Sequence, residues 1–215
     1  IPCFDQGQYL AQTIESVLAQ TQKAHEIIVV NDGSTDDTRY VAQQYSEVKY
    51  IEQVNKGLAS ARNTGIMNMT GEWFMPLDSD DMMLENCLEK ITETIEKKPN
   101  ADIIAPSFKT FGKYEETVIL MPNPTLQDFK IANRIGYLSA IKKEALLGVG
   151  GYSPKMVFGY EDYHLWVNLL SKGRKIVTIP DILVLYRTKE NSMITEAQAH
   201  HSELMAQIHK DFPLW

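Results

Sequence analysis

The sequence predicts an α/β fold in which a largely parallel sheet is covered by helices. Three observations carry that prediction. Short, continuous apolar runs such as Glu26-Ile27-Ile28-Val29-Val30-Asn31 read as strands buried on both faces. Apolar residues at helical spacing, such as Leu10, Ile14, Val17 and Leu18, fill the stretches between those runs. Strand and helix alternate through the first half of the chain, the rhythm of helical crossovers between parallel neighbours.

In chain order, Ile1-Pro2 reads as the stub of a strand and Tyr9 to Gln20 as an amphipathic helix. After the strand over Glu26–Asn31, Asp32-Gly33-Ser34 turns the chain into a helix over Thr35–Tyr45, with Ser34 or Thr35 as N-cap. Val48 to Gln53 is a strand, Leu58 to Met69 a helix, and Glu72 to Leu77 a strand that ends at an acidic turn. Leu84, Leu88, Ile91 and Ile95 mark one face of the next helix, which stops before Pro99. Ala101 to Phe108 is a further strand. The second half is less regular. Strands are expected over Thr117–Met121, Leu138–Lys142, Lys175–Pro180 and Ile182–Tyr186. Helices are expected over Glu144–Leu147, over Glu161–Ser171 with Gly173 at the C′ position, and over Thr195–His209. Gly148, Gly150 and Gly151 read as a flexible connection.

The 215 residues suit one domain of this class. Its expected halves are residues 1–108 and 109–215. The net charge of −7, with no basic run beyond Lys97-Lys98 or Lys142-Lys143, argues against nucleic acid as a partner. A local anionic ligand stays compatible if a metal ion supplies positive charge. Two distant cysteines, Cys3 and Cys87, form neither a zinc pattern nor a disulfide framework, so a reducing cytoplasm is expected. No apolar run approaches the ~18 residues of a membrane helix. No signal peptide stands at the front. The chain opens at Ile1-Pro2 without methionine, which suggests a trimmed front end.

Four stretches could do chemistry. Asp78-Ser79-Asp80-Asp81 follows a strand, and in an extended chain Asp78 and Asp80 point to one side. Such a carboxylate pair suits a hard divalent cation, and open α/β sheets bind ligands at the carboxyl ends of their strands. The bland alternative is an acidic turn with Asp81 as N-cap of the next helix. Asn31-Asp32-Gly33-Ser34 repeats the arrangement, and Asp32 could accept hydrogen bonds from a base or a ribose, or simply cap a turn. Gly159-Tyr160-Glu161-Asp162 opens a helix, where acids are favoured by the macrodipole but could also serve as a general base. Asn55 to Asn63 places Gly57 before a helix whose N–H groups could meet an anion, with Arg62 about two turns on. His200, His201, Met67, Met69, Met82 and Met83 read as packing or surface residues.

Taken in order, these stretches resemble family 2 glycosyltransferases of the GT-A fold. The matching segments are Ile1 to Asp5, Ile14 to Thr21, Glu26 to Asp36, Asn55 to Gly65, Gly71 to Asp81, Gly150-Gly151-Tyr152 and Glu161 to Trp166. The resemblance implies a Rossmann-like, mostly parallel sheet with a smaller mixed region on the acceptor side. It implies an inverting transfer of a sugar from a nucleotide-diphosphate donor, UDP-linked by default, to an acceptor hydroxyl on a glycan, a lipid-linked glycan or a protein. Pro2, Phe4, Asp5, Asp32, Asn55, Gly57, Arg62 and Asp78 would line the nucleotide-sugar pocket. Asp80, with Asp78, would hold Mn²⁺ or Mg²⁺ on the diphosphate, and Asp162 would be the general base. Gly151, Tyr152, Glu161 and Trp166 would belong to the acceptor side or its loop. Envelope glycan assembly and a cytoplasmic location, at the inner membrane face, go with this picture.

The sequence departs from the family pattern in three ways. Many members carry a histidine after Tyr-Arg near the end of the domain, whereas here Tyr186-Arg187-Thr188 is followed by Lys189. That change weakens the implied metal site or brings Lys189 to the diphosphate as a point charge. Asn31 stands where an acid is frequent. No Gln-x-x-Arg-Trp occurs, which disfavours a processive synthase. Two other readings stay open: a non-catalytic nucleotide-sugar binder, and a sugar nucleotidyltransferase, which would want basic residues where Asp5-Gln6-Gly7-Gln8 has none.

Overall fold

The computed structural model describes residues 1–190, 193–213 and 215, and the side chains of all of these except 193 and 194. Three short strands, β1 (Pro2–Cys3), β2 (Ile27–Asn31) and β3 (Val48–Glu52), pair in parallel in that order. Helix α1 (Gly7–Leu18) joins the first two and α2 (Thr38–Ala42) the next. Leu10 and Ile14 of α1 pack with Val29 of β2 in a small core, which is what the helical spacing and the apolar run prescribe. Helix α3 (Leu58–Asn68) follows, and then the chain enters a second, mixed sheet.

That sheet holds six strands: β4 (Trp73–Phe74), β5 (Met82–Met83), β6 (Ile103–Gly112), β7 (Thr117–Val118), β8 (Ala140–Lys142) and β9 (Ile176–Thr188). Its order is β4-β8-β6-β9-β5, with β7 beside β6; only the β6–β9 pair is parallel. Helices α4 (Cys87–Lys97), α5 (Leu126–Phe129), α6 (Lys143–Val149), α7 (Glu161–Ser171), α8 (Met193–Ala199) and α9 (His201–Asp211) complete the chain. Helix α7 is largely buried, with Leu165, Trp166, Val167 and Leu169 fully enclosed. Each such aliphatic side chain contributes roughly 1.5–3 kcal/mol of burial. A groove of about 720 Å³ runs between β2 and β4, lined by Ile27, Ile28, Trp73, Phe74 and Met75; none of Asp32, Asp78, Asp80 or Asp162 lines it.

Several expected elements change. The strand expected over Glu72–Leu77 narrows to β4 and runs antiparallel to β8. Pro76, which has no N–H to donate to a ladder, lies in the stretch that leaves the sheet. The helix expected from Thr35 begins only at Thr38, and Ser34 and Thr35 do not cap it. Asp36 instead accepts the N–H groups of Gly7 at 2.8 Å and Thr38 at 3.0 Å, tying the loop to the start of α1. The two strands expected over Lys175–Tyr186 are one strand, β9; its register shifts against β6 between Pro106 and Phe108, so Pro180 and Asp181 bulge out of the ladder. The last helix breaks at His200, between α8 and α9. His200 stacks on Phe158 and His201 meets the Tyr160 hydroxyl, so both histidines pack as expected.

The Gly148–Gly151 stretch is a clasp and not a flexible connection. Gly150 (φ +79°) ends α6 in the left-handed conformation. Gly151 (φ +76°) lies against α3, where an added Cβ would stand 2.4 Å from Asn63 Oδ1. Asn63 Nδ2 donates to the Tyr152 carbonyl and Asn63 Oδ1 accepts the Tyr152 N–H, both at 2.8 Å. Gly150→Ala, which meets open space, should cost about 1–2 kcal/mol from backbone strain alone. Gly151→Ala adds the displacement of Asn63, so its urea midpoint should fall further than that of Gly150→Ala at an unchanged denaturant slope.

Candidate active site

The carboxyl ends of β1 and β2 lie side by side because the two strands pair. Pro2 is buried in β1, while Phe4, the first residue past the strand, is 48% exposed. Asp5 follows with a left-handed φ of +47°, a conformation that Asp tolerates, and its Oδ1 accepts the Thr35 N–H at 2.7 Å. Asp32 is buried beneath the next loop. Its Oδ1 accepts from the Lys56 N–H at 2.9 Å and Gln53 Nε2 at 2.7 Å, and its Oδ2 from the Gly57 N–H at 2.8 Å. Asp32 thereby pins the loop that starts α3. Gly57 (φ +84°) is the N-cap of α3, with open space where a Cβ would be, and Asn55 is exposed beside it.

Arg62, on α3, is the centre of the site and not part of its lining. Its side chain is 1% exposed. Nη1 donates to Glu161 Oε1 at 2.5 Å and Nη2 to Asp78 Oδ1 at 2.8 Å. The rings of Tyr137 and Tyr152 lie 4.8 and 5.3 Å from the guanidinium carbon, within cation–π range. Burial alone would pull the Arg62 pKa down, but the Asp78 and Glu161 carboxylates outweigh it and hold it well above the usual value. Burial likewise pushes Asp78 up, against the pull of Arg62.

The acidic stretch is a turn and not an extended strand end. The Asp81 N–H donates to the Asp78 carbonyl at 3.0 Å. Asp78 and Asp80 therefore take separate cations: Asp78 takes Arg62, and Asp80 Oδ2 takes Lys189 Nζ at 2.5 Å. Asp81 is buried and caps no helix, since β5 follows it and α4 starts at Cys87. It accepts the Arg187 N–H at 2.7 Å and the Tyr137 hydroxyl. Burial, then the charges of Asp78 and Asp80, push Asp81 well above the carboxylate range. Arg187 Nε donates to the Asp80 carbonyl at 2.8 Å and Nη2 to Gln12 Oε1 at 2.7 Å. Arg187 and Lys189 both lie over the Tyr9 ring, at 4.6 and 5.3 Å from its centroid. Among the described residues no three Asp, Glu, His or Cys side chains gather into a group that could hold a metal ion. The chain's own donors do not fit a preformed metal centre, because a cation would have to displace Lys189 from Asp80.

Helix α7 opens after two left-handed residues, Gly159 (φ +121°) and Tyr160 (φ +59°). For a bulky residue such as tyrosine that conformation is strained and persists because the surroundings hold it. Glu161 turns inward to Arg62. Asp162 is half-buried; its Oδ1 accepts the Tyr163 N–H at 2.7 Å and its Oδ2 accepts Asn133 Nδ2 at 3.0 Å. Burial, reinforced by the Glu161 charge, raises the Asp162 pKa from 3.8 to about 7. Tyr152 and Trp166 are both enclosed, Tyr152 against Arg62 and Trp166 in the main core. Tyr9, Gln12, Asn133 and Tyr137 also join the cluster; each is an ordinary polar or aromatic residue in sequence, and only the fold brings it here. Arg62→Met leaves two carboxylates without their cation and should destabilise the fold by about 3–5 kcal/mol, read as a lowered urea midpoint. Adding Glu161→Gln should recover part of that loss.

A family model described as glycosyl transferase family 2 matches residues 1–153. An uncharacterised glycosyltransferase of Haemophilus influenzae is 30% identical over 200 residues, covering 87% of this chain and 73% of that protein. Among solved structures, S. aureus TarS 1–349 in complex with UDP-GlcNAc is similar at a TM-score of 0.83 and 18% identity, covering 96% of this chain and 63% of that one. Mannosyltransferase PcManGT from Pyrobaculum calidifontis, in complex with GDP-Man and Mn²⁺, is similar at a TM-score of 0.73 and 18% identity, covering 98% of this chain and 61% of that one. The chain thus spans less than two thirds of either solved chain, and at these identities both bear on the fold, which is of the GT-A type. By the match of the family model and by the Haemophilus relative, the chain is a glycosyltransferase and belongs to glycosyl transferase family 2.

Proposed function

We propose that the chain transfers a sugar from a nucleotide-diphosphate donor, UDP-linked by preference, to an acceptor hydroxyl with inversion at the anomeric carbon. The observation that carries this reading is Asp162, a carboxylate raised to about 7 and linked through Glu161, Arg62 and Asp78 to the acidic turn. A base with a pKa near the working pH is the kind that removes a hydroxyl proton efficiently. The nucleotide lies over the ends of β1 and β2, against the exposed Phe4 ring, with Pro2, Asp5, Asp32, Asn55 and Gly57 shaping the pocket and Asp78 turned towards the ribose. Residues 1–108 make the donor half and 109–215 the acceptor half. Gly151, Tyr152, Glu161 and Trp166 act by fixing α7, and so Asp162, in place.

The acceptor oxygen attacks the anomeric carbon from the face opposite the diphosphate. Its proton passes to Asp162, the bond to the diphosphate breaks, and the nucleoside diphosphate leaves with one more negative charge. Acceptors on this reading are glycans, lipid-linked glycans or proteins in envelope glycan assembly at the cytoplasmic membrane face. No helix among the described residues is long and apolar enough to cross a membrane.

Asp162 should be ionised to act, so release of nucleoside diphosphate from a nucleotide sugar should rise with pH through about 7. Asp162→Asn should lower that rate by about 10²–10⁴-fold and remove its pH dependence, while nucleotide binding persists. An Asp162→Asn chain as active as the wild type would sink the assignment. Stability runs the other way. The raised pKa means that the folded chain binds more protons than the unfolded chain between pH 3.8 and about 7, so this group's contribution is full below that window and is lost as pH rises through it. Urea midpoints should show wild type losing ground to Asp162→Asn between pH 5 and 8.

A further inference from the structure

We propose that the Lys189 ammonium serves in place of a divalent cation on the donor diphosphate, so that this chain binds its donor without metal. The inference rests on the donor-site reading above. Arg62, shared with Glu161, already holds Asp78 Oδ1 at 2.8 Å, and Lys189 holds Asp80 at 2.5 Å, so a metal ion entering the turn would compete with a cation of the chain at either carboxylate. Lys189 is set there by the fold. It is the first residue past β9, whose last residue, Thr188, is buried, and it lies over the Tyr9 ring beside Arg187. An ammonium has three N–H donors. Asp80 takes one, and the side chain is still 26% exposed, so the others remain for phosphate oxygens. Asp80 then acts as a positioning residue that orients the lysine. As the sugar–phosphate bond breaks, the electron pair stays on the diphosphate, and Lys189 balances the added charge without giving up a proton.

Calorimetric titration of UDP, dTDP, GDP and ADP, with EDTA and with Mn²⁺, tests this on the wild type, Lys189→Met and Lys189→Arg. The wild type should bind one nucleotide in EDTA, with an affinity that Mn²⁺ changes by less than about threefold. Lys189→Met should lose about tenfold to a hundredfold in EDTA, the range of one charge-assisted hydrogen bond, and regain part of it with Mn²⁺. Lys189→Arg should keep metal-free binding. Electron paramagnetic resonance of Mn²⁺ with the nucleotide present should show bound ion for Lys189→Met and little for the wild type. Wild-type binding that requires Mn²⁺, or a folded Lys189→Met chain that binds as tightly as the wild type in EDTA, overturns the inference and leaves the donor site standing. A wild type that binds no nucleotide in either condition overturns the donor site and this inference with it.

Discussion

A fully enclosed guanidinium cannot stay charged without anions, and Arg62 finds its two at sequence separations of 16 and 99 residues. That requirement joins three elements that nothing else brings to one point: α3, the turn after β4, and the first residues of α7. Removing three charges from water costs several kcal/mol each, so the cluster adds less net stability than its short contacts suggest. What it secures is geometry. Asp78 is tied to Arg62, and Asp162, the neighbour of Glu161 on a largely buried helix, is held at a set distance from it.

The site carries more acids than bases, and the fold handles each acid differently. Asp32 is used up by backbone N–H groups, Asp78 by Arg62, Asp80 by Lys189, and Asp81 by Arg187 and Tyr137. Asp162 has the Asn133 amide and the Tyr163 N–H as partners, and it sits next to a second carboxylate. The same chemical group is thus a loop pin, a brace, a lysine holder and, on the proposed reading, a base, and the difference lies in what faces it.

Much of this was readable from the residues, and the exceptions have physical reasons. Helix α1 appears where its apolar spacing puts it, α3 and α7 fall within their expected bounds, and the buried run of β2 pairs as expected. The strands near the acidic turn were misjudged because a two-residue strand carries no period, and their direction depends on β8 and β9, far along the chain. The glycines at 150 and 151 read as a flexible connection because glycine permits motion, whereas Gly150 supplies the left-handed end of α6 and Gly151 permits close approach to Asn63. The acids themselves were visible as motifs, but the alternation that aimed Asp78 and Asp80 together fails in a turn. Tyr137 and Asn133 gave no signal, since a lone tyrosine or asparagine in an irregular stretch acquires meaning only from its neighbours in space.

The β9 strand closes the site from the far end of the chain, with Arg187 reaching Asp81 across 106 residues and Gln12 across 175. Bridging such separations carries a loop-closure entropy cost that must be met before the contacts reward it, and chains dominated by distant pairings fold slowly. During synthesis the acidic turn emerges long before Arg187 and Lys189, which meet Asp81 and Asp80. Until residues 187–189 are added, Asp80 lacks Lys189 and Asp81 lacks the Arg187 N–H. The contacts that Arg187 and Lys189 make with Gln12, Asp80 and Asp81 can therefore close only when the whole span from Gln12 to Lys189 has been made.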